Sequence, residues 1–507
     1  MRNPLSMLKT WRRTQSGTPP TPQGEQLRQR LQSAQVSSPL NTAAFFVPIG
    51  ELNALIEPGT VHGILQELDK QSSESHERLT ATIVQTAPRF FALLVWIGQA
   101  HRVFSLGSHH LDDTSLPLNE RASFGWGTEC EARILRDQWI FLAPVFQTEG
   151  QSISIHLSVP LPFISASPVS KESDNRTLRQ VQIHPSHLGF FNGDDVAATP
   201  VLALKLFKTK ASIRFQHEVH ILQLLNQVSS RNIVKLLVAF SNQNTRGIIF
   251  PWAECDLSEM MMRAIPPNQR CELGLWTLQQ FIGLLDGLAA IHRIPESNGC
   301  RSRTQCRHGD LRPANILVMK GSKAPCGHPA SIASCRLQIA SMAMAQLFQD
   351  ESQYTVPSET GTYQGPECYL QTAIGPLYDI WSLGGLFLEM IIWWLEGPSG
   401  LETFADERIA PDPLLGKRVQ DDYFFTLNTE DERYAGAEVR SSVMSLIKRL
   451  EQDDRLSPAF VILLSVIKSD MLVPIGSQRL GASELSKKLM HLLNSQGGDT
   501  VDVQCSK

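Results

Sequence analysis

The feature that most constrains this chain is one stretch, His308-Gly309-Asp310-Leu311-Arg312-Pro313-Ala314-Asn315-Ile316-Leu317-Val318. An acid, a base and an amide fall close together, Pro313 fixes the backbone between them, and an apolar run follows at once. A His-x-Asp-x-x-x-x-Asn pattern alone is short and arises by chance. Pro313, the apolar strand after it and the ordered blocks on both sides make it specific. At 507 residues the chain is too long for one compact core, so two or more domains with tails are expected. Hydrophobic residues at 42% and charged residues at 19% fit a soluble globular protein. The net charge of -4 and the pI near 6.4 argue against general nucleic-acid binding. Nine cysteines without a secretory signal point to reduced thiols in an intracellular protein, cytoplasmic or nuclear. The most apolar stretch, Ile380 to Leu395, is short for a membrane span and holds Glu389, so it reads as a buried helix.

Residues 1–44 are polar and rich in Pro, Ser and Gln, and are expected to form a disordered tail. The Arg-rich start, Met1 to Arg30, leaves a mitochondrial presequence as the alternative. Residues 45–165 read as a globular block. Phe45 to Ile49 suggests a strand or turn and Leu52 to Ile56 a helix; Arg89 to Gly98 is apolar nearly all round and reads as a buried helix. Gln138 to Pro144 and Ile153 to Phe163 read as strands. His109-His110 with Asp112-Asp113 is a solvated polar loop in preference to a metal site, because no further ligand falls at a helical or hairpin spacing.

The stretch around Asp310 resembles the catalytic loop of the protein kinase superfamily, H-x-D-x-K-P-x-N followed by a short apolar strand. The resemblance covers residues 166–495, with a polar tail at 496–507. It implies an α+β, bilobal protein kinase-like fold, with a β-rich N-lobe and a helical C-lobe, preceded by a separate small mixed α/β block. In that family Asp310 would accept the proton of the attacking hydroxyl, Arg312 would touch the transferring phosphate, and Asn315 would hold a magnesium ion. Lys205, on the strand Val201 to Lys205, would hold nucleotide phosphates and pair with Glu218 on the following helix. Backbone groups near Trp252 and Ala253 would meet adenine, with Asp256 and Leu257 after them. Asn232 to Leu236 leads into a strand, and Leu278, Phe281, Leu285, Leu288 and His292 mark a long helix. Gly361 to Glu367 resembles the segment ending in A-P-E, Tyr378 to Gly384 the start of the central buried helix, and Ser465 to Leu492 the closing helices. Asp379 would cap that helix and brace the catalytic loop, and Arg479 would partner Glu367.

The departures are as informative. Where such kinases carry glycines over ATP, this chain has Ser173, Asp174 and Arg176, although Val181, Ile183, His184 and Pro185 keep the pattern's end. Side chains there crowd the nucleotide, Asp174 repels phosphate, and Arg176 or Arg179 compensates only in charge. Leu337 to Ala345 takes the place of the D-F-G strand and turn, with Ser341 for the metal-binding aspartate, Met342 for phenylalanine and Ala343 for glycine. Asp350 would substitute only if the loop folds back. Gly309 stands where many kinases have arginine, so activation by a phosphorylated loop anchored there is not expected. Two polar inserts, Pro295 to Arg307 and Lys320 to Arg336, hold Cys300, Cys306, Cys326, His328 and Cys335; free surface thiols are preferred to zinc because the spacings match no finger. The wording of the loops looks most like a fungal-type family of Ser/Thr-type kinase-domain proteins, which often carry a globular, regulatory block ahead of the kinase region. The resemblance leaves two main readings: a degenerate kinase (pseudokinase) acting as scaffold or allosteric partner, or an active Ser/Thr kinase using ATP and Mg²⁺. A small-molecule kinase fits less well. The cofactor is then ATP with Mg²⁺, a nucleotide without metal, or none; the partner is a protein substrate or signalling protein, with no nucleic acid and no membrane.

Overall fold

Prolines and capping side chains start the helices that the apolar runs then bury. The computed structural model describes residues 21–69, 73–172, 176–191, 199–208, 211–265, 270–295, 303–320, 332–348, 361–370, 374–412, 416–430 and 433–495. The α+β class expected from the sequence is what it contains. The chain divides into two compact units. Unit one is Met1–Leu206 with Phe240–Gly247, and unit two is Phe207–Ala239 with Ile248–Lys507.

In unit one the first described element is the helix Pro22–Ser33. Pro22 opens it, and the Thr21 hydroxyl accepts a bond from the Gly24 N–H at 3.1 Å. This corrects the expectation of disorder to residue 44. Leu27 and Leu31, one turn apart, are fully buried, and strands Val36–Ser38 and Asn41–Phe46 pair antiparallel. The polar composition hid a short apolar stripe sufficient to dock one helix. Residues 1–20 and 496–507 lie outside the described residues.

Helices Ile49–Leu55, Pro58–Leu68, Ser73–Thr86, Pro88–Trp96 and Thr128–Asp137 follow. Helix Pro88–Trp96 buries Phe90 through Val95, as its all-round apolarity requires. Its open N-terminal N–H groups are met by Asp113, whose carboxylate accepts from Arg89 N at 3.1 Å and Phe90 N at 3.0 Å. Asp112 accepts from Thr114 N in its own turn. Both carboxylates of the His109–Asp113 loop thus serve backbone.

Two strand expectations in this unit are corrected. Gln138–Phe141 is a turn of 3₁₀ helix, because the Gln138 side chain is drawn inside, binding both N–H and C=O of Leu118. Of Ile153 to Phe163 only the ends are extended, in strands Gln151–Ser154 and Phe163–Ala166. The main sheet has the order Gln151–Ser154, Val238–Ser241, Arg246–Pro251, Leu202–Phe207, Arg176–Ile183, Phe163–Ala166, with Lys171–Glu172 also pairing Arg176–Ile183. Ser173 and Asp174 lie outside the described residues.

The expected boundary at 165/166 is not where the chain divides. Phe163 pairs Ile183, and the turn Pro185–His187 returns to the first helices. His187 is 1% exposed. Its Nδ1 donates to Pro144 O at 2.8 Å and its Nε2 accepts from Ile49 N at 3.1 Å. Those two bonds require the neutral ring, and burial pushes its pKa down to about 4.

Unit two is built on helices Arg270–His292 and Tyr378–Arg408. The second is long and apolar enough to cross a membrane by length and composition, yet 89% of its apolar window is buried inside the protein. It is two helices meeting at Gly397, whose φ of 74° suits glycine, with Pro398 next. Glu389, within the apolar run, is joined by Arg408 Nη2 at 3.0 Å and by the Tyr363 hydroxyl. The Arg408 guanidinium lies over the rings of Phe404 (4.0 Å) and Phe424 (4.4 Å).

Two stability predictions follow from these buried groups. The unfolded chain protonates His187 near pH 6.5 and the folded chain only near 4. Stability is therefore complete above pH 6.5 and falls through that window, by about 2–3 kcal/mol at pH 4.5 from this group. His187→Gln, which donates and accepts without titrating, should lose less in urea unfolding between pH 7 and 4.5. An equal pH slope in both proteins would exclude His187 as the source. Arg408→Met should cost about 3–5 kcal/mol by stranding Glu389, and adding Glu389→Leu should recover part of the loss, as read by urea unfolding.

Candidate active site

Two small sheets in unit two hold the loop at residues 308–315. Strand Arg303–Arg307 leads into it, between Arg293–Pro295 and Gln346–Phe348. Strand Ile316–Met319 leads out of it, between Cys255–Asp256 and Arg336–Ile339. This corrects the reading of Pro295 to Arg307 as a polar insert: its second part is a paired strand with Cys306 fully buried. The loop's two ends are therefore fixed by backbone ladders, and only residues 308–315 are left to be shaped by side chains.

Asp379 does most of that shaping. It is the second residue of its helix, which Leu377 flanks, so it does not cap the helix as expected. Its carboxylate turns to the loop instead, accepting from His308 N at 2.7 Å and Gly309 N at 2.8 Å. His292 Nε2 donates to it at 3.0 Å. The sequence reading places His292 only on the apolar face of its helix. The other ring, His308, accepts from Asp310 N through Nδ1 (3.2 Å) and donates through Nε2 to Ala340 O (2.9 Å). It thereby ties the loop to the residue before Ser341.

Asp310, Arg312 and Asn315 are brought together. The Asn315 amide nitrogen donates to the Asp310 carbonyl (2.8 Å) and carboxylate (2.7 Å). Arg312 Nε stands 3.4 Å from Asp310 Oδ1, with its side chain 45% exposed. Asn315 is buried and its carbonyl accepts from Ala340 N at 2.9 Å, which brings residue 341 to the loop. Ser341 has φ 67° and ψ 64°, a left-handed conformation that costs a serine on the order of 1 kcal/mol. At the two positions that hold the cation in the family, Asn315 and Ser341, the side chains are an amide and a hydroxyl. Magnesium bridging phosphates favours carboxylates, and this set fits it poorly. Asp350 lies outside the described residues.

Glu218 is 1% exposed on helix Ser212–Asn226, whose His217 ring bonds Ala345 O at 2.6 Å. Lys205 is 7% exposed on strand Leu202–Phe207 of unit one. Trp252 and Ala253 follow strand Arg246–Pro251, and Asp256 caps the short helix Leu257–Met261. Glu367 and Arg479 form the expected buried pair. Of the cysteines and histidine in the two inserts, Cys300, Cys326 and His328 lie outside the described residues. Cys306 and Cys335 are buried, contrary to the expectation of surface thiols, and burial pushes both thiols up, away from the ligating thiolate. Arg307, a polar residue by sequence, is also buried.

A family model for the protein kinase domain matches residues 192–455. Cyclin-dependent kinase 4 of Xenopus laevis is 27% identical over 179 residues, which is 34% of this chain and 48% of that protein. Cyclin-dependent kinase D-1 of Oryza sativa subsp. indica is 24% identical over 242 residues, 46% of this chain and 50% of that one. Cyclin-dependent kinase F-4 of Oryza sativa subsp. japonica is 25% identical over 168 residues, 33% of this chain and 30% of that one. The chain thus spans half or less of the length of these relatives. The family match takes in more than half of the chain and includes the whole loop built on Asp379, so the chain belongs to the protein kinase domain family.

Proposed function

We propose that this chain is a degenerate protein kinase, a scaffold or allosteric partner in intracellular signalling with weak or no phosphoryl transfer. The observation that carries the reading is Ser341. The backbone there keeps a left-handed turn anchored through Ala340 to Asn315 and His308, while the side chain is a neutral hydroxyl. Phosphoryl transfer depends on positioning and on neutralising phosphate charge, and the second requirement is the one this residue fails. Loss of the loop glycines, at Ser173, Asp174 and Arg176, points the same way. On this reading the ordered loop is a structural inheritance. The free buried thiols of Cys130, Cys255, Cys306 and Cys335 support an intracellular setting.

The second reading is an active Ser/Thr kinase, favoured by the Asp310–Asn315–Arg312 cluster. Asp310 would then orient a protein hydroxyl, Asn315 would be the metal-facing residue, Arg312 would face phosphate, and Lys205 paired with Glu218 would hold the nucleotide that Trp252 and Ala253 receive. The relatives' printed name, cyclin-dependent kinase, supports a protein as substrate or partner under either reading.

Thermal unfolding of the full chain with ATP, with and without Mg²⁺, separates the two. The wild-type chain should show no shift that grows with Mg²⁺. Ser341→Asp should gain one, because aspartate tolerates the left-handed region and returns the carboxylate. Saturation at about a hundred times Kd is worth about 2.7 kcal/mol, a shift of several degrees. A Mg²⁺-dependent shift in the wild-type chain that vanishes in Lys205→Met would replace the degenerate reading by the active one.

A further inference from the structure

Strands Ala410–Asp412 and Gly416–Asp421 form one hairpin after the long helix of unit two, and strands Phe425–Glu430 and Arg433–Val439 form another. Residues 421–424 join the two, and they are fixed from beneath. Phe424 is fully buried, and its ring closes on Gly385 of the helix, where a Cβ would lie 3.0 Å away. Arg408 lies over that ring and donates through Nε to Asp422 O at 3.0 Å. The Arg440 backbone N–H donates to Phe424 O at 3.0 Å, and its guanidinium binds the Asp421 carboxylate.

The other two side chains of this junction, Asp422 and Tyr423, meet the segment 361–370. The Thr362 hydroxyl donates to Asp422 Oδ2 at 2.7 Å. The hydroxyls of Tyr369 and Tyr423 lie 2.6 Å apart, and Gln364 Nε2 donates to that of Tyr369 at 3.1 Å. Burial pushes the Tyr423 phenol up, so it keeps its proton. The Tyr369 ring also meets those of Phe425 and Tyr434, at 6.0 and 5.6 Å between centres. Thr362 and Tyr369 stand toward opposite ends of the segment, so one anchored junction grips it twice. Between these grips, Tyr363 and Glu367 bind Glu389 and Arg479, which lie outside the hairpins. We propose that residues 421–424 are a two-point latch that sets segment 361–370 from the hairpins and couples the two as one opening unit. Such coupling is reciprocal: whatever shifts the hairpin Phe425–Val439 shifts the segment, and the reverse. The latch goes beyond the function proposed above, since it needs neither nucleotide nor phosphoryl transfer.

Hydrogen exchange of the full chain, resolved by residue, tests the latch without reading activity. Thr362→Val and Tyr423→Phe each remove one hydroxyl and keep the shape of the side chain. Either one should raise exchange by about fivefold along the whole of 363–370 and at 422–426, and leave helices Pro88–Trp96 and Ala482–Ser495 at wild-type rates. Tyr369→Phe should reproduce Tyr423→Phe, and Asp422→Ala should reproduce Thr362→Val. A rise limited to the residues beside the lost hydroxyl, with the far end of the segment unchanged, would overturn the proposal, because Glu389 and Arg479 would then hold the segment by themselves. Wild-type rates throughout 363–370 in both variants would overturn it as well. So would a rise that extends equally to the two control helices.

Discussion

One buried carboxylate holds the loop at residues 308–315 in shape. Asp379 has no exposed surface and accepts from two successive backbone N–H groups, at His308 and Gly309, and from the His292 ring. Burial alone would raise its pKa, but the bond from His292 and the donors of the loop outweigh that, and the net direction is down. The ionised form is thus the stable one inside the protein. An ionised carboxylate without water must keep its donors, since each one lost leaves charge uncompensated. That requirement fixes His308 and Gly309. His308 in turn fixes Ala340, and Ala340 fixes the turn at Ser341. The shape of the loop follows from the electrostatics of a residue that lies dozens of positions away in sequence.

This dependence separates shape from chemistry. The bonds that shape the loop run through backbone groups and through His308, Asn315 and Asp379. None of them uses the side chain of residue 341. A residue without a carboxylate can therefore stand there without disturbing the loop, and Ser341 holds a left-handed φ that its side chain does not favour. The same logic applies at Gly309, where the close approach of the Met344 carbonyl leaves no room for a side chain.

The parts of this arrangement that sequence made legible are those written locally. Pro313 and Ile316 to Val318 announce a loop running into a strand, and that is how they fold. The all-round apolarity of Arg89 to Gly98 announces a buried helix, and the Glu367–Arg479 pair and the bracing by Asp379 follow from the kinase-like order of blocks. What stayed hidden depends on partners distant in sequence. Gln138 turns an apolar run into 3₁₀ helix because it reaches Leu118. Arg303–Arg307 is polar in composition and becomes a strand because Gln346–Phe348 lies beside it. His187 binds the turn after Arg176–Ile183 to Pro144 and Ile49, so the chain divides elsewhere than its composition shifts. Helix Pro22–Ser33 escaped for the opposite reason: two leucines one turn apart are too little pattern to read, yet enough to bury.

Arginine is the recurring device in unit two. Arg307, Arg408, Arg440 and Arg479 are all buried, at 1%, 2%, 6% and 4% exposure. Three bind carboxylates, at Glu389, Asp421 and Glu367, and the fourth binds a carbonyl and an amide. Three also lie over aromatic rings: Arg307 over Phe348 and Tyr378, Arg408 over Phe404 and Phe424, and Arg479 over Trp381. Such pairs add little net stability compared with apolar packing of the same volume. Their effect is on the alternatives, because any conformation that parts the segments strands a charge in the interior and costs several kcal/mol. Tyr363 and Glu367 of the segment 361–370 are each held through one of these arginines, by way of Glu389 and directly. Arg307 does the same for the segments flanking the loop. A fold stabilised in this way resists rearrangement of those segments.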